Sequence, residues 1–417
     1  MKIKRDQYLD ELVSRKHNGL IKVVTGLRRC GKTYLLFTLF KEHLLAEGVD
    51  EKHIVEIAFD AFENRQLRDP QVLFPRLKEQ LQGDVMHYVL LDEVQLLGDF
   101  EAVLNSLIRM KNVDVYAAGS NASHLSKDVI TEFRGRGDKV PVHPLSFAEF
   151  MSAYQGTKQD GWHEYLTYGG LPQILSCTTP EQKSAFLKSL FEEVYIPDII
   201  ERHNIRSKAA LEEVLNLLSS AVGSPANPEK LSAAFKAARK KAASSTTIKR
   251  YIDCLCDSFL IDSAPRYDVK GKRHIGTAAK YYFTDMGLRN AWLNFRQADE
   301  APCMENIIFN DLKRRGFAVD AGVVTLYGTN EKGSSTRSQL EIDFVCNKGS
   351  RRYYIQSACT ISDPAKREQE QRPLRLTGDF FKRVLITRDT PVPHYTEDGM
   401  LVMNIYDFLL NEGSLEI

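Results

Sequence analysis

Long apolar runs are missing from this chain of 417 residues. No stretch approaches 18 consecutive apolar residues, so no membrane-spanning helix and no membrane partner is expected. The opening MKIKRDQYLDELV carries charge where a secretory signal needs an apolar segment, so no export signal is expected there. Cysteine is sparse and odd in number: Cys30, Cys177, Cys254, Cys256, Cys303, Cys346 and Cys359 include no CxxC pair. A disulfide framework or a zinc site is therefore not expected, and reduced thiols suit a cytoplasmic protein. Net charge is nearly absent too, at +1, so any nucleic-acid surface must be a local patch. What is left is 43% hydrophobic and 27% charged, the balance of a globular protein long enough for about two to four domains.

The first 150 residues alternate strand-like and helix-like segments. IKVVTG (21–26), HIVEIAF (53–59), HYVLLDE (87–93), VDVYAAGS (113–120) and KVPVHPLSF (139–147) are rich in β-branched and aromatic residues. Short, nearly continuous apolar strands joined by helices predict a parallel sheet covered on both faces. Residues 148–222 read as mainly helical, broken at YGGLP (168–172), and VGSPANPE (222–229) reads as a linker. Two helical stretches and a β-hairpin around APRYDVKGKRHIG and KYYFTD follow, the order of a winged helix. The last 120 residues open with the helix ENIIFNDLKRRG and continue as strands.

Between the first strand and the first helix stand Gly26, Leu27, Arg28, Arg29, Cys30, Gly31, Lys32 and Thr33, which match G-x-x-x-x-G-K-[ST]. Glycines at these places let backbone amides face phosphate oxygens. Lys32 is then expected to reach the β- and γ-phosphates, with Thr33 as a Mg²⁺ ligand. The cofactors expected are ATP and Mg²⁺. A metal-binding acid should end a neighbouring buried strand, and Asp92 of YVLLDE fills that place. Glu93 beside it is suited to orient an attacking water, which indicates hydrolysis. Ser120 and Asn121, ending the next strand, are expected either to contact the γ-phosphate or water, or to cap a helix or turn. Arg134 and Arg136 flank a glycine loop before the fifth strand. An arginine there reaches the phosphate in its own chain, serves a neighbouring subunit of a homo-oligomer, or is plain surface charge.

Taken together, IKRDQYLDELV…GLIKVVTGLRRCGKTYLL, YVLLDEVQ, AAGSNAS, FRGRGDKVPVHPLSFAEF and YLTYGGLPQIL resemble a family of AAA-type ATP-binding proteins of bacteria and archaea. Those proteins carry a C-terminal domain of unknown function, and the resemblance extends through KYYFTDMGLRNAWLNFR and ENIIFNDLKRRG. It implies an α/β fold built on the P-loop NTPase parallel sheet of an ATPase with an additional catalytic glutamate. Domain bounds expected on that basis are 1–150 for the ATPase, 151–222 for a helical lid, 223–296 for a winged helix and 297–417 for an α/β restriction-endonuclease-like domain. The family's phosphate loop falls on Gly26 to Thr33, its metal and water acids on Asp92 and Glu93, its polar strand end on Ser120 and Asn121, and its Gly-Arg on Gly135 and Arg136.

Partners are then sought in the second half. Residues 229–250 hold seven Lys or Arg against one Glu, and a recognition helix starting near Ser245 would offer Thr246, Thr247, Lys249 and Arg250 to DNA. The same helix could equally dock a protein partner. Nucleases of the restriction type need an Asp ending one strand and Glu-x-Lys on the next. Asp343 stands in the first place and Glu305 on the preceding helix, but Gln356 replaces the acid and Ala358 the lysine, with Lys366 as a candidate substitute. An inert domain is expected, with an ATP-coupled nuclease as the alternative. A nucleotide-dependent switch acting on a protein is the other.

Overall fold

The computed structural model describes residues 3–119, 135–229, 231–233, 244–296, 299–329 and 335–417. They form two compact units, 1–144 with 257–259, and 145–256 with 260–417. Among the described residues no helix is long and apolar enough to cross a membrane.

The first unit is built on β1 (Ile21–Thr25), β2 (Ile54–Ala58), β3 (His87–Asp92), β4 (Val113–Gly119) and β5 (Gly137–Pro141). They pair in the order β2-β3-β4-β1-β5, every neighbour parallel. β1 and β3 are buried at every residue, as strands covered on both faces must be. Val23, Leu91 and Val115 of the sheet pack with Leu73 and Leu104 of helices Pro70–Gln80 and Phe100–Leu107. β4 lies between the strand that leads into the glycine loop and the strand that ends in Asp92. The fifth strand starts two residues earlier than its sequence pattern predicts and ends at Pro141. The cause is local: Ser146 and Glu149 form a reciprocal capping box that starts helix Phe147–Ala153, so PLSF is a helix start.

The second unit holds a nine-stranded sheet. Its strands are β6 (Pro225–Ala226), β7 (Ile261–Asp268), β8 (Arg273–Phe283), β9 (Ala318–Thr329), β10 (Ser335–Lys348), β11 (Arg351–Ala358), β12 (Lys382–Thr387), β13 (His394–Tyr395) and β14 (Leu401–Asn404). The order is β13-β14-β12-β11-β10-β9-β7-β8-β6. The hairpin β7–β8 is therefore continuous with the strands that follow it, because β9 pairs parallel to β7 through Arg266↔Ala321 to Asp268↔Val323. The 12-residue β9 offers backbone groups on both edges, and β7 satisfies the one that β10 does not.

YGGLP and TDMGLRN, two segments of the family resemblance, meet inside this unit. Asp285, 2% exposed, accepts hydrogen bonds from the Gly170 N–H at 2.7 Å and the Leu288 N–H at 3.1 Å. Asn290 Nδ2 donates to the carbonyls of Leu166 and Thr167, each at 2.9 Å, and Arg289 Nε donates to that of Ser219 at 2.9 Å. Glycine is required at Gly169, with φ of 75° and a would-be Cβ only 2.2 Å from Asp285 Oδ1. The segment is a buried latch between helices Lys158–Tyr168 and Met286–Trp292.

Candidate nucleotide site

β1 ends at Thr25, and the chain turns at once. Gly26 has φ of 149°, and a Cβ there would lie 2.0 Å from the Val142 carbonyl oxygen. Only glycine allows that approach. Arg29 and Gly31 are both left-handed, at φ 63° and 104°, and the helix begins at Lys32. Leu27 and Cys30 are buried and anchor the loop, with Cys30 Sγ 3.4 Å from the Val142 carbonyl oxygen. Arg28 is half-buried and Arg29 exposed.

Sequence reasoning missed one support of this loop. Arg5, 3% exposed, donates from Nη1 to the Cys30 carbonyl at 2.9 Å and from Nη2 to the His143 carbonyl at 2.7 Å. Its guanidinium also lies 4.5 Å from the centre of the Tyr8 ring. The only sequence signal was an arginine opening a segment of the resemblance.

The chemistry-bearing residues converge at the C-terminal ends of β1 and β3. Lys32 is 5% exposed, and its ammonium donates to the carbonyls of Gly26 and Leu27, both at 3.0 Å. The Thr33 hydroxyl donates to Asp92 Oδ2. Burial is the main cause that raises the Asp92 carboxyl above its ordinary range; the Thr33 hydrogen bond opposes it and Glu93 adds to it. A buried carboxylate beside a hydroxyl oxygen is a hard-oxygen pair that suits Mg²⁺, which takes few protein ligands. Thr33 and Asp92 would hold it.

Glu93 leaves the strand in the left-handed region, φ 50° and ψ 44°, and its N–H donates to Asp92 Oδ1 at 3.0 Å. Gln95 Nε2 donates to Glu93 Oε2, a partner the sequence did not reveal.

Arg136 is corrected in one respect. Its carbonyl accepts from the Ile21 N–H at 2.9 Å, so it stands where β1 begins, and the phosphate loop starts where β1 ends. Five strand residues separate them, about 16 Å at the rise of a strand. Reach to the phosphates of its own chain is excluded by this geometry. Gly119, the last residue of β4, is paired with Thr25. Ser120, Asn121 and Arg134 lie outside the described residues.

The second group of candidates lies in the other unit. Asp343 on β10 accepts from the Ser357 N–H and hydroxyl, each at 2.9 Å. Gln356 receives the Asp343 N–H at 3.2 Å and donates to Glu370 at 3.0 Å, so its amide is used on both sides. Ala358 is buried in the apolar cluster with Leu374 and Leu385. Lys366 is half-buried on helix Pro364–Arg375. The lysine that does meet the acids is Lys280 on β8, bonded to both Glu305 and Asp343. Burial alone would pull its ammonium down, but Asp343, Glu305 and Glu341 more than reverse that, and it is held well above the ordinary lysine range.

Comparison with known proteins bears on both halves of the chain. Residues 18–151 match the model of an AAA domain, and 159–299 match a domain of unknown function. An uncharacterized protein of Haemophilus influenzae is 31% identical over 417 residues, covering 98% of each chain. Another, of Methanocaldococcus jannaschii, is 25% identical over 341 residues, covering 78% of this chain and 71% of that one. Among solved structures, a Walker-type ATPase of Pyrococcus abyssi is 12% identical with a TM-score of 0.49, covering 70% of this chain and 96% of that one. End-to-end similarity to the Haemophilus protein shows that the chain belongs to that protein's family, and its residues 18–151 are an AAA-type P-loop domain on the five-stranded parallel sheet.

Proposed function

We propose that this ATPase couples hydrolysis of ATP to engagement of DNA. The observation that carries hydrolysis is the placement of Glu93 directly after Asp92, which itself pairs with Thr33. Lys32 would bind the phosphates once it exchanges two backbone carbonyls for them. Thr33 and Asp92 would hold Mg²⁺, which when bound offsets phosphate charge. Glu93, oriented by Gln95, would accept a proton from water and aim it. Arg136, exposed and outside its own chain's site, suits a role in trans in a homo-oligomer.

DNA engagement is supported by the element order: helix Lys208–Ser220, β6, helix Ser245–Asp257, then β7 and β8, with β6 and β7 flanking β8. The segment from β6 to β8 is proposed here as a winged helix at 223–296, after a helical lid at 151–222 that ends with helix Lys208–Ser220. Thr246, Lys249 and Arg250 are exposed on the second helix. Arg250 also donates to the His203 carbonyl at 2.8 Å, so part of its guanidinium serves as a strut. For residues 297–417, the succession of helix Glu300–Arg314, β9, β10, β11, helix Pro364–Arg375 and β12 supports the endonuclease-like reading. The engaged Gln356 and the buried Ala358 support its inertness.

A protein partner is favoured by a different observation. Phe380 is fully exposed, and Phe381 and Tyr395 are about half exposed; Tyr395 lies on the edge strand β13. ATP turnover measured with and without single- and double-stranded DNA, at several salt concentrations, separates the readings. DNA-stimulated turnover that fades with salt is expected; turnover and binding indifferent to DNA would leave the protein switch. Mg²⁺-dependent cleavage lost in Asp343→Ala would instead establish a nuclease.

A further inference from the structure

Four charged side chains of the second unit converge on one point, enclosed around Lys280, Glu305 and Asp343 and open to solvent at Glu341, whose side chain is 38% exposed. Lys280 is 1% exposed, although it sits in the middle of a strand. Its ammonium nitrogen lies 2.6 Å from Glu341 Oε1, 2.9 Å from Glu305 Oε1 and 3.4 Å from Asp343 Oδ1. An ammonium carries three hydrogens, and three carboxylates use all of them. Glu341 and Asp343 stand two residues apart on β10, so both project from one face. Glu305 comes from helix Glu300–Arg314, and Tyr282, on the same face of β8 as Lys280, donates to its Oε1 at 2.6 Å. Gly223 closes over the other oxygen: a Cβ there would meet Glu305 Oε2 at 2.8 Å.

We infer that Lys280 is a built-in counter-cation standing where a divalent metal would be held, and that removing it turns this cluster into a Mn²⁺ or Mg²⁺ site. Three carboxylates aimed at one centre form an all-oxygen donor set, the kind that hard divalent cations take. Leaving three such charges together without a cation is costly, so something positive must be at the centre. A tethered ammonium fills that need at an effective concentration that free ions do not match. Its N–O distances exceed the roughly 2.0–2.2 Å of Mg²⁺ or Mn²⁺ to oxygen, so the acids are spaced for nitrogen. Accordingly, among the described residues no group of three or more His, Cys, Asp or Glu is placed to hold a metal. A lysine that activated water beside a metal would leave the metal's acids free. Lys280 bonds those acids itself. The inference rests on this geometry alone and stands whether or not the protein engages DNA.

Mn²⁺ binding to the full chain, followed by electron paramagnetic resonance, tests it. The set is wild type, Asp343→Asn, Lys280→Ala, and Lys280→Ala with Asp343→Asn. Lys280→Ala should gain one Mn²⁺ site at least tenfold tighter than any wild-type site that depends on Asp343. Adding Asp343→Asn to it should remove that site, while Mn²⁺ bound elsewhere stays the same in all four. Mn²⁺ should also raise the Tm of Lys280→Ala more than that of wild type. A folded Lys280→Ala without the extra site overturns the inference, as does a wild-type site lost on Asp343→Asn. Should Lys280→Ala fold only with Mn²⁺ present, the inference is upheld. If it folds under neither condition, Lys280→Ala with Glu341→Gln, which removes one repelling charge, must bind Mn²⁺ between Glu305 and Asp343. Failure of that variant to bind, or to fold in Mn²⁺, overturns the inference too.

Discussion

Glu93 links strain to chemistry, and the two are separable by substitution. Its backbone is left-handed, at φ 50°, where a residue other than glycine costs about 1–2 kcal/mol. Glycine would remove that strain but lose about 0.5–1 kcal/mol to the greater freedom of the unfolded chain. Glu93→Gly should therefore leave stability unchanged or raise it by up to about 1.5 kcal/mol. Turnover should move the other way. Loss of the group that aims and deprotonates water should cost about 10²-fold or more, on the order of 2.7 kcal/mol in the barrier. Glu93→Gln keeps shape and strain, so it should lose turnover to a similar degree at unchanged stability. ATP affinity in both should stay within about twofold of wild type, since Lys32 and Thr33 are untouched. Phosphate release, fluorescent-nucleotide titration and thermal melting give the three readings. Turnover within threefold of wild type in both variants would remove Glu93 from the chemistry. A clear fall in the Tm of Glu93→Gly would refute the strain argument while leaving the catalytic one intact.

Two further outcomes follow from the second unit. Burial pushes the Asp285 carboxyl up to about 6 from 3.8, against four backbone N–H groups that pull it down. The folded protein thus holds that proton more tightly than the unfolded chain, so ionisation costs about 3 kcal/mol above pH 6, relieved as pH falls toward 4. Asp285→Asn should melt lower than wild type at pH 7, because its NH₂ must face one of the N–H groups that the carboxylate accepted. The gap should widen between pH 7 and pH 5 as wild type gains its proton; a gap that narrows on acidification would contradict the sign. Replacing Lys249 and Arg250 together with alanine should weaken duplex binding across sequences and flatten the log–log salt dependence by about two contacts. An unaltered slope in a fluorescence titration would mean that this helix faces protein, and a fall in Tm would report the lost Arg250 strut to His203.

What the sequence made legible follows from how local each signal is. The sheet of the first unit was readable because parallel strands buried on both faces are short apolar runs. The glycine loop was readable because phosphate binding fixes backbone shape at Gly26 and Gly31 and side chains at Lys32 and Thr33. The end of the fifth strand is ambiguous because HPLSF is apolar enough for a strand, while the Ser146–Glu149 cap, written in the sequence as S-x-x-E, starts a helix there. The far position of Arg136 needed only strand direction: a residue entering a parallel strand lies at the opposite edge from one leaving its neighbour.

Lys280 is a harder case. The strand AAKYYF holds a lone lysine among residues suited to burial, and the period of two puts Lys280 and Tyr282 on one face. That much marks a lysine that needs partners. Nothing local names them, because Glu305 is 25 residues away and Asp343 is 63. They meet only because β7 pairs with β9, which carries the hairpin into the sheet of β10. A sequence reading that treats the hairpin as the wing of a separate domain finds acids that lack a lysine on one side and a lysine that lacks acids on the other. The pairing of β7 with β9 supplies the cation, a second physical reason to expect inertness that the identities of Gln356 and Ala358 do not reveal.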